Sequence, residues 1–96
     1  MKGYEGLFIL KANLSKDEIE KTSSSIADGI AKNGGVVGNV EDLGMRQLAY
    51  EIKRQKQGYY ILINFTAESK AISNLEKSYK LNESILRALI FKRNEK

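Results

Sequence analysis

The chain has 96 residues, 42% of them hydrophobic, a formal charge of +4, and no His, Cys, Trp or Pro. That length is one small domain over residues 1–96, able to remove roughly two-thirds of its unfolded surface from water. Without His or Cys, Ser-His and Cys-His nucleophilic catalysis, thiolate or imidazole metal sites and disulfides are excluded, which suits a reducing cytosolic setting.

The charge is unevenly spread. Residues 1–45 carry five lysines against seven acids, and residues 46–96 carry eleven basic residues against five acids. All four arginines (Arg46, Arg54, Arg87 and Arg93) lie in the second part. Such an excess is compatible with a polyanionic partner and, equally, with a solvated lysine-rich surface.

Tyr4 to Leu10 has the β-rich composition of a buried strand. Glu5 interrupts the apolar opening and no small-residue cleavage site follows, so a strand is expected there rather than a signal peptide. No apolar run reaches the length of a membrane span, so no membrane is expected as a partner. Ser15-Lys16-Asp17-Glu18 fits a capping box. Ile19, Ile26 and Ile30 then recur at helical spacing, and Asn33-Gly34-Gly35 supplies a left-handed stop. From Val36 to Ile52 the pattern is strand, with Leu48, Tyr50 and Ile52 alternating against Gln47, Ala49 and Glu51. Gly44 within it predicts a bulge or bend. Lys53 to Gly58 reads as a basic hairpin loop, and Tyr59 to Phe65 as the strongest strand. A second helix spans Ser69 to Lys80, with Ile72, Leu75 and Tyr79 on one stripe. Ser84 to Lys92 closes the chain as a strand.

The order βαββαβ predicts the ferredoxin-like α+β arrangement. In it, a four-stranded antiparallel sheet carries two helices on one face, with the first and third strands central. This topology serves enzymes, metabolite sensors and RNA binders alike. The central strands are apolar on both faces. If the helices cover Phe8, Ile61 and Ile63, then Leu7, Ile9, Tyr60, Leu62, Leu89 and Phe91 face away from them as a candidate interface. Glu41-Asp42 and Arg46-Gln47 place charge along the predicted edge of the second strand, where it discourages aggregation or matches a partner.

Other chemistries fit poorly. Tyr60, Ile61 and Asn64 replace the residues of an RNA-recognition-motif stacking platform. Gly34-Gly35 and Gly38 are not followed by the Lys-Ser/Thr of a phosphate loop. Asp17/Glu18 and Glu41/Asp42 are sequence neighbours whose side chains diverge, unsuited to paired-carboxylate catalysis. An acylphosphatase-like enzyme needs a Gly-rich loop and an Arg after the first strand, and Lys11-Ala12-Asn13-Leu14 supplies neither. A metabolite-sensing module remains the other alternative. What is left is a basic surface for phosphate-backbone and shape recognition, with Lys53, Arg54, Lys56 and Arg46 near the hairpin and Arg87, Lys92 and Arg93 on the last strand.

Tyr4-Glu5, Gly34-Gly35, the run from Asp42 to Tyr50, and Gln57-Gly58-Tyr59-Tyr60 together resemble the sixth-protein family of the bacterial small ribosomal subunit. The resemblance covers residues 2 to 93. Its most specific part is Leu43-Gly44-Met45-Arg46-Gln47-Leu48-Ala49-Tyr50, followed after seven intervening residues by Gly58-Tyr59. The resemblance implies a non-enzymatic, ribosome-bound cytoplasmic protein. It would bind small-subunit ribosomal RNA in the central domain as a heterodimer with the eighteenth small-subunit protein, with no cofactor, metal or small-molecule substrate. Arg46, Tyr50, Arg87 and Lys92 match the family's RNA-binding positions, and Lys2 joins the candidate RNA-binding set with the basic residues above. Glu41, Asp42, Arg46 and Gln47 are the expected partner contacts, with Tyr60 and Leu62 extending that surface. Two departures stand out. Position 47, often basic in the family, is Gln, and the sequence stops at Lys96, so the long acidic tail of some members is expected to be missing.

Overall fold

A computed structural model of the chain describes residues 1–93. Lys96, on which the expectation about a tail rests, lies outside the described residues. The elements are β1 (Lys2–Lys11), α1 (Lys16–Lys32), β2 (Val36–Ile52), β3 (Gln55–Ala67), α2 (Ser69–Leu81) and β4 (Ile85–Lys92). The strands form one antiparallel sheet in the order β2-β3-β1-β4, so β1 and β3 are central as expected.

Local chemistry explains the helix ends. Ser15 Oγ accepts from the Glu18 N–H at 3.2 Å, and Glu18 Oε1 accepts from the Ser15 N–H at 2.9 Å, closing the capping box. Those bonds, the backbone one first, hold the Glu18 carboxyl below the usual carboxylate range. At the other end Gly34 takes φ +82°, and the Gly35 N–H returns to the Ile30 carbonyl at 2.8 Å. A left-handed residue is nearly free of strain only at glycine, so the helix stops there.

Both helices cover one face of the sheet. Phe8, Leu10, Ile61, Ile63 and Phe65 meet Ile26 and Ile30 of α1 and Leu75 and Tyr79 of α2 in the main core. Each such aliphatic or aromatic side chain, fully buried, stabilises by about 1.5–3 kcal/mol. The rings of Phe8 and Tyr79 meet edge-to-face at 5.0 Å between centroids. Ile19 and Ile72 sit at the margin, half-buried.

The hairpin departs from the sequence reading. Instead of a loop from Lys53 to Gly58, a two-residue turn at Lys53-Arg54 joins β2 to β3, and both residues have positive φ (47° and 66°). Positive φ at both central residues is the twist-matching hairpin turn, so the ladder can run almost to the tip despite a polar sequence. β2 is also irregular. Its register against β3 shifts between Val37 and Val40, between Asp42 and Gly44, and between Gln47 and Ile52. Gly44, at φ +78°, is the expected bulge.

Candidate functional site

The helix-free face of the sheet carries its own small cluster. Ile9, Leu48 and Leu86 are buried together there, with Ile52 and Tyr60 packed against them. The sequence places Ile9 on an open face, yet it is only 5% exposed. The cause lies in the hairpin. Beyond Gln47↔Gln57 the next pairing is Ile52↔Gln55, so residues 48–51 stand against Lys56 alone. Extra residues in one strand bend and twist it, and here they turn the end of β2 over the sheet. Gly58 makes the close approach possible, since a Cβ there would lie 2.4 Å from Ile9 Cγ2.

Alternation would bury Tyr50 with Leu48 and Ile52. It is instead 62% exposed, because its strand has left the regular ladder. The Arg87 guanidinium on β4 donates a hydrogen bond to the Tyr50 hydroxyl. The hairpin end thereby spans from one edge strand to the other.

This geometry gathers part of the basic set. Arg46, Tyr50, Lys53, Arg54, Lys56 and Arg87 are all exposed at the hairpin end. None of these five cations forms an ion pair among the described residues, where Met1 to Glu68 at 3.9 Å is the sole pair. Arg46 Nε donates to the Leu43 carbonyl at 3.4 Å, which steadies its stem while the charge stays in solvent. Lys53 and Arg54 diverge. Lys53 borders a cavity against α2 and β4, whereas Arg54 and Lys56 border a shallow depression with Ala12 and Gln47.

Lys2, Lys92 and Arg93 lie elsewhere. Lys92 pairs with Tyr4 and Lys2 with Ala67, which puts both on the helix-bearing face at the far end of the sheet. Five residues of strand separate Lys92 from Arg87, about 17 Å at strand rise. The Arg93 N–H donates to the Gly3 carbonyl at 2.9 Å, and its side chain borders a depression with Asn64 and Thr66 on the other face. The basic residues therefore form two groups, at opposite ends.

The second-strand residues also divide. Glu41 pairs with Leu62 and Arg46 with Gly58, so both share the helix-free face with Tyr60 and Leu62. Glu41, Leu62, Leu7 and Leu89 form one row across all four strands. Leu7, Leu62 and Leu89 are half-buried, and Phe91 in the next row is 53% exposed. Asp42 and Gln47 fall on the opposite side of the strand. Asp42 is held internally, with Oδ1 accepting the Gly44 N–H at 3.0 Å and Oδ2 accepting the Tyr59 hydroxyl at 2.5 Å. That bond pushes the Tyr59 phenol up. Asp42 thus fastens the bulge at Gly44 to the central strand.

No helix among the described residues is long and apolar enough to cross a membrane, and none of their Asp and Glu side chains group as a metal site. Sequence reasoning passes over Lys80, which the last turn of α2 brings to the cavity shared by Lys53 and Arg87. Only tertiary packing unites those three.

The fold and this surface define a split βαβ module, with a cationic end that forms no ion pair among the described residues beside an apolar strip of open sheet. The family model described as Ribosomal protein S6 matches residues 3–92. Small ribosomal subunit protein bS6 of Helicobacter hepaticus is 46% identical over 96 residues, all of this chain and 70% of that protein. The protein of the same name from Protochlamydia amoebophila is 41% identical over 92 residues, 96% of this chain and 81% of that one. The crystal structure of 30S ribosomal protein S6 from Thermotoga maritima superimposes with a TM-score of 0.91 at 32% identity, covering 96% of this chain and 87% of that chain. The chain belongs to the ribosomal protein S6 family of the small subunit.

Proposed function

We propose that this protein binds small-subunit ribosomal RNA through its hairpin end and seats the eighteenth small-subunit protein on the helix-free face of its sheet. It works as a structural part of the ribosome in the bacterial cytoplasm rather than as an enzyme. One observation carries the RNA reading: cations from β2, the turn, β3 and β4 meet at one end with no acid pairing them among the described residues. Unpaired Lys and Arg retain their field for phosphates and release counterions on binding. Arg46, Lys53, Arg54, Lys56 and Arg87, with Tyr50 beside them, form the primary RNA surface; Lys2 and Lys92 form a second, distal one, with Arg93 on the opposite face of that end.

The partner surface is the row Glu41–Leu62–Leu7–Leu89 with Tyr60 and Arg46, where an apolar strip is flanked by one charge of each sign. Charge at the rim of such a strip selects orientation, and the apolar centre supplies affinity. Asp42 contributes by holding the bulge, and Gln47 borders the RNA-facing depression with Arg54.

The test is binding of the protein–partner pair to its ribosomal RNA site across a salt titration. Arg87→Ala and Arg46→Ala are each expected to weaken binding and to reduce the slope of log affinity against log salt by about one. An unchanged slope in both variants overturns the RNA surface.

A further inference from the structure

A cavity of about 320 Å³ opens where the end of α2, the start of β4 and the hairpin turn meet. Its wall is formed by Tyr79, Leu86 and Ala88, and Lys53, Lys80 and Arg87 stand around it. Glu76 is the single acid that borders it. We propose that this cavity receives one unpaired nucleobase of the bound RNA, while Lys53, Lys80 and Arg87 hold the phosphates on either side of that nucleotide. The inference rests on the RNA-binding reading and adds to it a site for a single-stranded nucleotide.

Charge and wall chemistry together select this ligand. Three cations from three different elements mark a polyanion. The interior favours a neutral, planar group over an anion. Its wall is mainly aliphatic and aromatic, and the end of α2 carries the partial negative charge of a helix C-terminus. A phosphate inside would meet that partial charge and Glu76. A base would instead present amino and imino donors to them. The space is large enough for one base and its ribose edge, and a base face gains by stacking on an apolar or aromatic wall.

The backbone adds acceptors and donors. β4 is an edge strand, paired with β1 on one side only, so alternate N–H and C=O groups beyond Ile85, whose own N–H donates to the Asn82 carbonyl at 3.1 Å, lie on its unpaired side. These groups give the cavity a polar edge to read as well as an apolar wall. Specific recognition of RNA proceeds largely through unpaired bases splayed out in this way, since the major groove of an RNA duplex excludes side chains.

The experiment is an amide chemical-shift titration of the full chain with three probes: ten-nucleotide oligoadenylate, ten-nucleotide oligouridylate and a ten-base-pair RNA duplex. At least one single strand should shift the amides of Tyr79, Lys80 and Ile85 to Ala88 saturably and bind about tenfold tighter than the duplex. Lys80→Gln should weaken that single strand about fivefold while lowering the thermal midpoint by only a few degrees. Equal affinity for the duplex, or shifts confined to the Arg46 and Arg54 side, overturns the nucleobase site. If Arg87→Ala still weakens binding to the ribosomal RNA site, the broader RNA reading survives that result. Loss of both responses removes both readings.

Discussion

Tyr50 and Arg87 lie on opposite edge strands of the sheet, 37 residues apart in sequence, and are joined by a hydrogen bond from the guanidinium to the phenol oxygen. Two central strands separate those edges, about 14 Å of sheet. The contact exists because the end of β2 folds across the helix-free face over Ile9 and Leu86. It links the two edge strands of the sheet. A double-mutant cycle of Tyr50→Phe and Arg87→Ala, read by urea unfolding, should show a coupling of about 1 kcal/mol. Strict additivity would mean that the bond contributes nothing in solution.

The second cluster should matter to stability although it lies on the face without helices. Leu48→Ala is expected to cost about 2 kcal/mol, the usual lower range for truncating a buried leucine. Gly58→Ala should cost about 1–3 kcal/mol by forcing Ile9 out of its place. Thermal unfolding of both variants checks this. Near-neutral values would show that the hairpin end does not pack on the sheet.

The turn at Lys53-Arg54 sets stability against charge. Non-glycine residues at φ 47° and 66° are uncommon, and Asn-Gly is the preferred pair for such a turn. Replacing them with Lys53→Asn and Arg54→Gly should raise stability by about 1 kcal/mol. The same change should weaken ribosomal RNA binding and flatten its salt dependence. Gains in both stability and affinity would contradict a binding role for the turn.

Burial pushes the Tyr79 phenol up to about 12. A folded value above the unfolded one, about 10, means that the neutral phenol favours the folded state. That contribution is complete below pH 10 and disappears as pH rises towards 12. Between pH 8 and pH 11, wild type should therefore lose more stability than Tyr79→Phe, by about 1.4 kcal/mol. Urea midpoints at the two pH values measure it, and equal losses would place the hydroxyl in water.

On the proposed partner face, Leu62→Asp should abolish heterodimer formation while costing the isolated chain less than about 1 kcal/mol. Leu62 is half-buried in the row with Leu7 and Leu89, so a carboxylate there remains partly hydrated in the free protein. Titration calorimetry with the partner, beside thermal unfolding of the variant alone, separates the two effects.

Much of this protein was determined by its sequence alone. Capping-box residues, helical spacing of isoleucines, the glycine stop and alternating strands are local signals, and local signals dictate element type and order. The run from Asp42 to Tyr50, together with Tyr4-Glu5, Gly34-Gly35 and Gln57 to Tyr60, was sufficient to indicate the family. Tertiary structure decided what the side chains of that motif do. Ile9 is buried, Tyr50 is exposed, and Asp42 and Gln47 part from Glu41 and Arg46, because register shifts in β2 alter which face each residue takes. Sequence could show that the second half is basic. Only folding could sort those charges into two ends and bring Lys53, Lys80 and Arg87 around one cavity, since the distance between residues far apart in the chain is set by packing.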